Sequence, residues 1–139
     1  MREIEFRGKD IETGKWAFGD LHTLCDRPHI HTDESKFPYA GKRSFVIPET
    51  IGQFTGLLDK NGKKIFEGDI VRHPYVDPIF RDLVESKDDE GVTSEVVFHG
   101  GAFVVKYDID EFIYLYGFTR RGCIEVVGNI HDNPELINK

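Results

Sequence analysis

Short runs of alternating or β-branched residues, separated by glycine, asparagine and aspartate, recur along almost the whole chain. A period of two marks a strand with one buried face, whereas a helix would repeat its apolar positions every three to four residues. Ile4 and Phe6 alternate with Glu5 and Arg7, and after Glu12-Thr13-Gly14-Lys15 the run Trp16-Ala17-Phe18 is placed to return antiparallel. The N-terminus is therefore predicted to be a hairpin. Ser44-Phe45-Val46-Ile47 reads as a strand stopped by Pro48. Between Gln53 and Arg72 the turn chemistry is densest. Asn61-Gly62 offers two residues that tolerate positive φ, a strong hairpin signal, and Glu67-Gly68-Asp69 breaks the chain before Ile70-Val71 begins another strand.

Farther along, Glu95-Val96-Val97-Phe98 and Phe103-Val104-Val105-Lys106-Tyr107 flank His99-Gly100-Gly101, a second tight hairpin. Phe112 to Tyr116 is read as a strand from its aromatic and β-branched content, with one helical turn after an Asp110 cap as the alternative. Cys123 to Ile130 reads as a core strand, and Asn133-Pro134 ends regular structure. One helix is predicted, with Asp77 as cap, Pro78 in its first turn, and Ile79, Phe80, Leu83 and Val84 as apolar pairs. Asp26 to Arg43 holds Pro28, Pro38 and two histidines without periodicity, and is expected to be an exposed arm. The fold class is mainly β. Strands this short bury their faces in a small SH3-like barrel or in two packed β subdomains with one short helix. The chain is read as one domain over residues 1–139, or as two subdomains divided near residue 50.

Composition narrows the function classes. The 139 residues, 39% hydrophobic and 31% charged, suit a soluble globular chain, and no run approaches the roughly 18 apolar residues of a membrane span. No membrane partner is expected. The N-terminus enters alternating structure without the apolar stretch of a signal peptide, so the cytoplasm is the expected location. Cys25 and Cys123 stand far apart and are read as reduced thiols. A net charge of −7 repels phosphate backbones, which disfavours nucleic acid as a partner. Lys42-Arg43, Lys63-Lys64 and Arg120-Arg121 are read as solubilising pairs near turns, and Lys87 to Glu90 as a solvated loop.

Three stretches carry a family likeness. The opening Met-Arg-Glu-Ile-Glu-Phe-Arg-Gly, the central Gln-Phe-Thr-Gly-Leu with Asp-Lys-Asn-Gly-Lys-Lys-Ile-Phe-Glu-Gly-Asp-Ile-Val, and the closing Glu-Val-Val-Gly-Asn-Ile-His-Asp-Asn-Pro-Glu-Leu resemble the YopX family of phage and prophage proteins, in that family's order. The resemblance implies a small phage-encoded accessory protein of the bacterial cytoplasm, mainly β. It supplies no catalytic residue to carry over.

Chemistry must then be sought in the residues themselves. His22, His29 and His31 lie close together, with Asp20, Asp26, Asp33 and Glu34 around them, and an extended backbone would put His29 and His31 on one face. A metal needs three or four ligands converging within about 2.0–2.3 Å on an ordered scaffold, which a proline-bearing polar loop does not provide. Cys25 has neighbouring histidines but no identifiable oxyanion donor. Asp108 with Asp110, and Glu67 with Asp69, fall in turns where aspartate bonds its own amides. No glycine is followed by the lysine and hydroxyl of a P-loop. No catalytic residue, cofactor or metal is therefore assigned, and the protein is expected to bind rather than to catalyse.

The expected function is that of a self-associating, protein-binding β module whose partner is a further copy or an unidentified phage or host protein. Trp16, Tyr75 and Tyr114 are candidate rim aromatics, and Phe37 and Tyr39 are the expected subunit contact of a homo-oligomer. The first alternative is a nucleic-acid-binding SH3-like module using Lys63, Lys64, Arg120 and Arg121. The second is a metal-dependent enzyme built on His22, His29 and His31.

Overall fold

Strands form where the alternating runs stand, and turns form where glycine, asparagine or aspartate interrupt them, in the computed structural model. It describes residues 2–32, 42–76, 83–84, 91–108 and 111–137. Backbone contacts divide the chain into two units, 1–56 and 57–139.

The N-terminal unit contains β1 (Phe6–Lys9), β2 (Trp16–Leu24), β3 (Arg27–Thr32), β4 (Lys42–Phe45) and the start of β5 (Gly52–Leu58). Neighbours run antiparallel in the order β4-β3-β2-β1-β5. The first hairpin forms where expected, pairing Phe6 with Gly19 and Lys9 with Trp16. Its turn is held by Asp10, whose Oδ1 accepts from the amides of Glu12 and Thr13 at 2.8 and 2.9 Å.

Arg27–Thr32 corrects the expectation of an exposed arm from Asp26 onward, because it is a strand paired on both sides. Cys25 and Asp26, both left-handed with φ of +50° and +62°, form the two-residue turn between Leu24 and Arg27. That geometry normally takes Asn-Gly. Pro28 survives inside the sheet as an acceptor, its carbonyl taking the Val46 amide at 3.2 Å. The run lacked a recognisable period because the side chains on one face are His29, His31 and Arg27. Phe37 and Tyr39 lie outside the described residues.

The sheet curls back on itself. An isolated bridge joins Asp10 to Val46, while the Ile11 amide reaches the Phe45 carbonyl and the Ile47 amide the Lys9 carbonyl, each at 2.9 Å. A Cβ on Gly8 would sit 2.9 Å from the Val46 Cβ, so this approach requires glycine. Ala17, Ile30 and Val46 form the inner core, with Phe6, Leu21 and Ile51 packed against them.

The C-terminal unit contains β6 (Lys64–Phe66), β7 (Asp69–His73), the ribbon β8 (Tyr75–Val76) and β9 (Leu83–Val84), β10 (Val92–His99), β11 (Ala102–Asp108), β12 (Glu111–Tyr114), helix α1 (Leu115–Arg121) and β13 (Glu125–Asn129). Its sheet runs β12-β11-β10-β7-β13, all antiparallel. Ile65, Val71, Val96, Val105, Leu115, Phe118 and Ile124 make its core. The two antiparallel sheets have open strand orders and close no barrel, so the reading as two β subdomains fits and the barrel does not.

Local chemistry accounts for the boundaries. Gly100 and Gly101, at φ of +61° and +82°, turn β10 into β11 as expected. At Asn61-Gly62 only Gly62 is left-handed, and its amide bonds the Asp59 carbonyl, so the loop spans three residues rather than two. Gly68 adopts +91° and Asp69 accepts the Phe66 amide at 2.8 Å, which sets the sharp entry into β7. Leu83–Val84 pairs with Tyr75–Val76 as a strand instead of extending a helix, and 77–82 lie outside the described residues. Among the described residues the α-helix stands at Leu115–Arg121. The run from Phe112 is a strand only to Tyr114; Leu115 and Phe118, one turn apart, then face the core, and Gly122 at φ +64° caps the end. β13 is an edge strand of half-buried residues, with Ile124 just before it carrying the core contact.

Asp59 ties the 59–63 turn to β13. Its Oδ1 accepts from the amides of Asn61 and Lys63 at 2.8 and 2.9 Å, and its Oδ2 from the Val126 amide at 3.0 Å. Burial pushes this carboxyl upward, but the three amides and the Lys63 charge outweigh it and hold it below the ordinary carboxylate value. Asp59→Ala is expected to cost about 3 kcal/mol in urea unfolding by leaving those amides without an acceptor. Lys60→Ala, which removes only the 3.6 Å surface pair with Glu125, should cost about 0.5 kcal/mol or less. Replacing Cys25-Asp26 by Asn-Gly is expected to raise stability by about 1 kcal/mol, since left-handed backbone is strained for cysteine.

Candidate functional site

Pairing fixes which side chains of the N-terminal sheet share a face. His22 stands opposite His29, Asp20 opposite His31, and Leu24 opposite Arg27; on the next strand Phe45 faces His29 and Arg43 faces His31. On the other side, Arg7 faces Phe18 and Lys9 faces Trp16. Because side chains alternate, all of these project from the face opposite to the inner core. Four strands thus deliver Arg7, Lys9, Trp16, Phe18, Asp20, His22, Leu24, Arg27, His29, His31, Arg43 and Phe45 to one outer surface.

The groups on that surface interact as rings and cations. The Arg7 guanidinium lies 4.6 Å and the Lys9 ammonium 5.5 Å from the Trp16 ring centroid. The Arg27 guanidinium lies 4.6 Å from the Phe45 ring. His22 stacks on His29 at 5.6 Å and meets His31 edge-on at 6.1 Å, and His29 packs on Phe45 at 5.5 Å. Phe18 is 44% exposed, and Asp20, His22, Arg27 and Arg43 are exposed as well. A shallow groove of about 540 Å³ runs past Glu5, Trp16, Phe18 and Asp20.

His29 is the covered member of the histidine row, at 6% exposure beneath neighbouring rings, and its Nδ1 has no hydrogen-bond partner. Burial lowers its pKa first; the Arg43 charge and the other two histidines push the same way, against the Arg27 backbone. The three histidines therefore do converge, on paired strands rather than on a loop. They meet as stacked and edge-on rings, and among the described residues no three histidine, cysteine or carboxylate groups are arranged to hold a metal ion.

Other groups singled out in the sequence fall elsewhere. Cys25 occupies the exposed turn, and Cys123 lends its Sγ to the Phe118 carbonyl at 3.6 Å; both are free thiols. Asp69 is a turn acceptor. Arg120 and Arg121 close the last turn of α1, where cations suit the carbonyl end of a helix. Tyr75 and Tyr114 are exposed at 44% and 70%, while Trp16 is half-buried under its two cations.

A pairing that the sequence did not suggest lies inside the C-terminal unit. His73 Nδ1 meets the Pro74 carbonyl at 2.8 Å, so Nδ1 carries the proton and Nε2 accepts the Ser94 hydroxyl at 2.9 Å. Both residues are 2% exposed, and the imidazole packs on Phe118 at 4.6 Å. A buried serine–histidine pair beneath an aromatic ring has no room for a substrate. It satisfies core polarity, and burial lowers the His73 pKa despite the Pro74 carbonyl.

Fold and surface together define a small, mainly β protein of two units with one open aromatic and cationic sheet face. The chain belongs to the YopX family, whose model, described as YopX protein, matches residues 5–138. Among solved structures it is similar to the crystal structure of protein EF1440 from Enterococcus faecalis. That likeness has a TM-score of 0.58 at 23% identity and covers 99% of this chain and 100% of the other, which shows a shared fold. No curated protein matches the sequence. No helix among the described residues is long and apolar enough to cross a membrane.

The lowered pKa values of His29 and His73 set an acid limit. Each ring is neutral in the fold and protonates more readily once unfolded, so its contribution is complete above the ordinary value of 6.5 and is lost as pH falls below it toward the folded value. Thermal midpoints measured from pH 8 to pH 5 are expected to drop below pH 6.5, and His73→Gln should shrink that drop. A flat profile would contradict this.

Proposed function

We propose that the protein is a binding module, an accessory protein of phage origin that acts in the host cytoplasm by docking a macromolecule on the outer face of its N-terminal sheet. The observation that carries this is one surface on which Trp16, Phe18, His22 and Phe45 stand among Lys9, Arg27 and Arg43, on the side away from the core. Aromatic rings and arginine are the residue types that supply most binding energy at recognition surfaces. The only polar dyad of catalytic type among the groups described above, His73 with Ser94, is sealed in the core.

Trp16 is the only tryptophan in the chain, so its emission reports on this face alone. Titration with single-stranded oligonucleotide, heparin, poly-glutamate and the protein itself is expected to change Trp16 emission with at least one of them. Phe18→Ser should abolish that change without altering the far-ultraviolet circular dichroism. Silence toward every ligand would refute docking on this face.

Self-association is a second reading. Exposed aromatics on the C-terminal unit favour it: Tyr114 at 70% and Tyr116 at 62% adjoin β12, an edge strand of its sheet. Sedimentation velocity is expected to show a dimer or larger species that Tyr114→Ser with Tyr116→Ser, or Phe37→Ser with Tyr39→Ser, converts to monomer. A monomer at every concentration of the unsubstituted chain rules the reading out.

A further inference from the structure

The N-terminal face has a charge character opposite to that of the whole chain. The protein carries a net −7, yet this face presents Lys9, Arg27 and Arg43 against Glu5 and Asp20, with Arg7 buried beside Trp16. The cations are spread across the sheet. Lys9 and Arg7 lie on the β1 side against Trp16, and Arg27 and Arg43 on the β3–β4 side beside Phe45 and His31. His22, His29 and Phe45 form a row of rings across three strands, with His29 covered, and Phe18 stands on the same strand as His22 beyond Asp20.

Strands lie about 4.8 Å apart, so the span from β1 to β4 is on the order of 14 Å. An antiparallel sheet of this width with rings on its open face has room for two or three unstacked bases. Flat rings flanked by cations suit a ligand that alternates π-faces with negative charge. A duplex hides its base faces, and a bare polyanion has none to offer.

We infer that the outer face of the N-terminal sheet takes single-stranded nucleic acid, bases stacking on Phe18 and His22 while phosphates meet Lys9, Arg27 and Arg43. This rests on the docking role proposed for the same face, and adds the class of ligand. The acidic remainder of the chain limits affinity.

The test uses the full-length protein and a labelled oligothymidylate of about fifteen residues, followed by fluorescence anisotropy. Three phosphate contacts on a single strand give a logarithmic salt slope of about −2, so affinity is expected to fall about 20-fold between 50 and 200 mM salt. Arg27→Gln with Arg43→Gln should reduce that fall to about threefold. Phe18→Ala, at a position already exposed to solvent, should weaken binding about tenfold at constant salt.

Tighter binding of a duplex of the same sequence overturns the inference. So does binding that heparin displaces as readily as unlabelled strand and that ignores Phe18→Ala, because the face would then read charge alone. If the oligonucleotide fails to bind while poly-glutamate or a second copy of the chain changes Trp16 emission, nucleic acid is wrong and docking on the face stands. If none of these ligands binds, both fail.

Discussion

Side chains on a strand alternate between two faces, and the turn at Cys25 and Asp26 decides which residues take which side. Once Leu24 is set opposite Arg27, every even residue from Trp16 to Leu24 and every odd residue from Arg27 to His31 must share a face. The contact between Gly8 and Val46 curls the sheet with Ile30, Ala17 and Val46 inside, which leaves the other face outside. A slip of one residue would turn the histidines and arginines into the core and Ile30 and Leu21 into water. The cost of burying those charges is the reason the register holds, and the outer surface follows from it.

The same constraint explains why the fold was readable in the sequence while its face was not. The opening family word supplies β1, and the central and closing ones build turns and a tight entry into a strand. Gly68 and Asp69 shape the start of β7, Asp59 and Gly62 the preceding loop, and in the closing motif Asn129 Oδ1 accepts the amides of His131 and Asp132 while Asn133 Oδ1 sits 2.5 Å from where a Gly128 Cβ would lie. Local hydrogen bonding of this kind is written in consecutive residues. It identifies the family and the β class without reference to any partner.

The outer face draws on residues from Arg7 to Phe45, joined only by strand pairing. Its one local trace was the alternation Trp16, Phe18, Asp20, His22, Leu24, which mixes aromatic, acidic and imidazole groups and so lacks the apolar beat of a half-buried strand. Pro28 and the polar residues around it made β3 resemble a loop, although the proline needs only its carbonyl in this sheet. Net charge is silent on this face for a related reason, since a sum over the chain says nothing of where individual cations stand. A helix near Leu115 is only the alternative reading because Leu115 and Phe118 are a single core-facing pair, too short a pattern to outweigh the β-branched run before it.

Everything proposed for the face depends on Arg27–Thr32 being a strand held between two neighbours. Native-state hydrogen exchange followed residue by residue measures this directly. The amides of His29, Ile30 and His31 are expected to exchange far more slowly than in the unfolded chain, in step with those of β2. Exchange of these three amides at the unfolded rate, with β1 and β2 protected, would mean that the segment is a solvated loop and that the shared face does not exist.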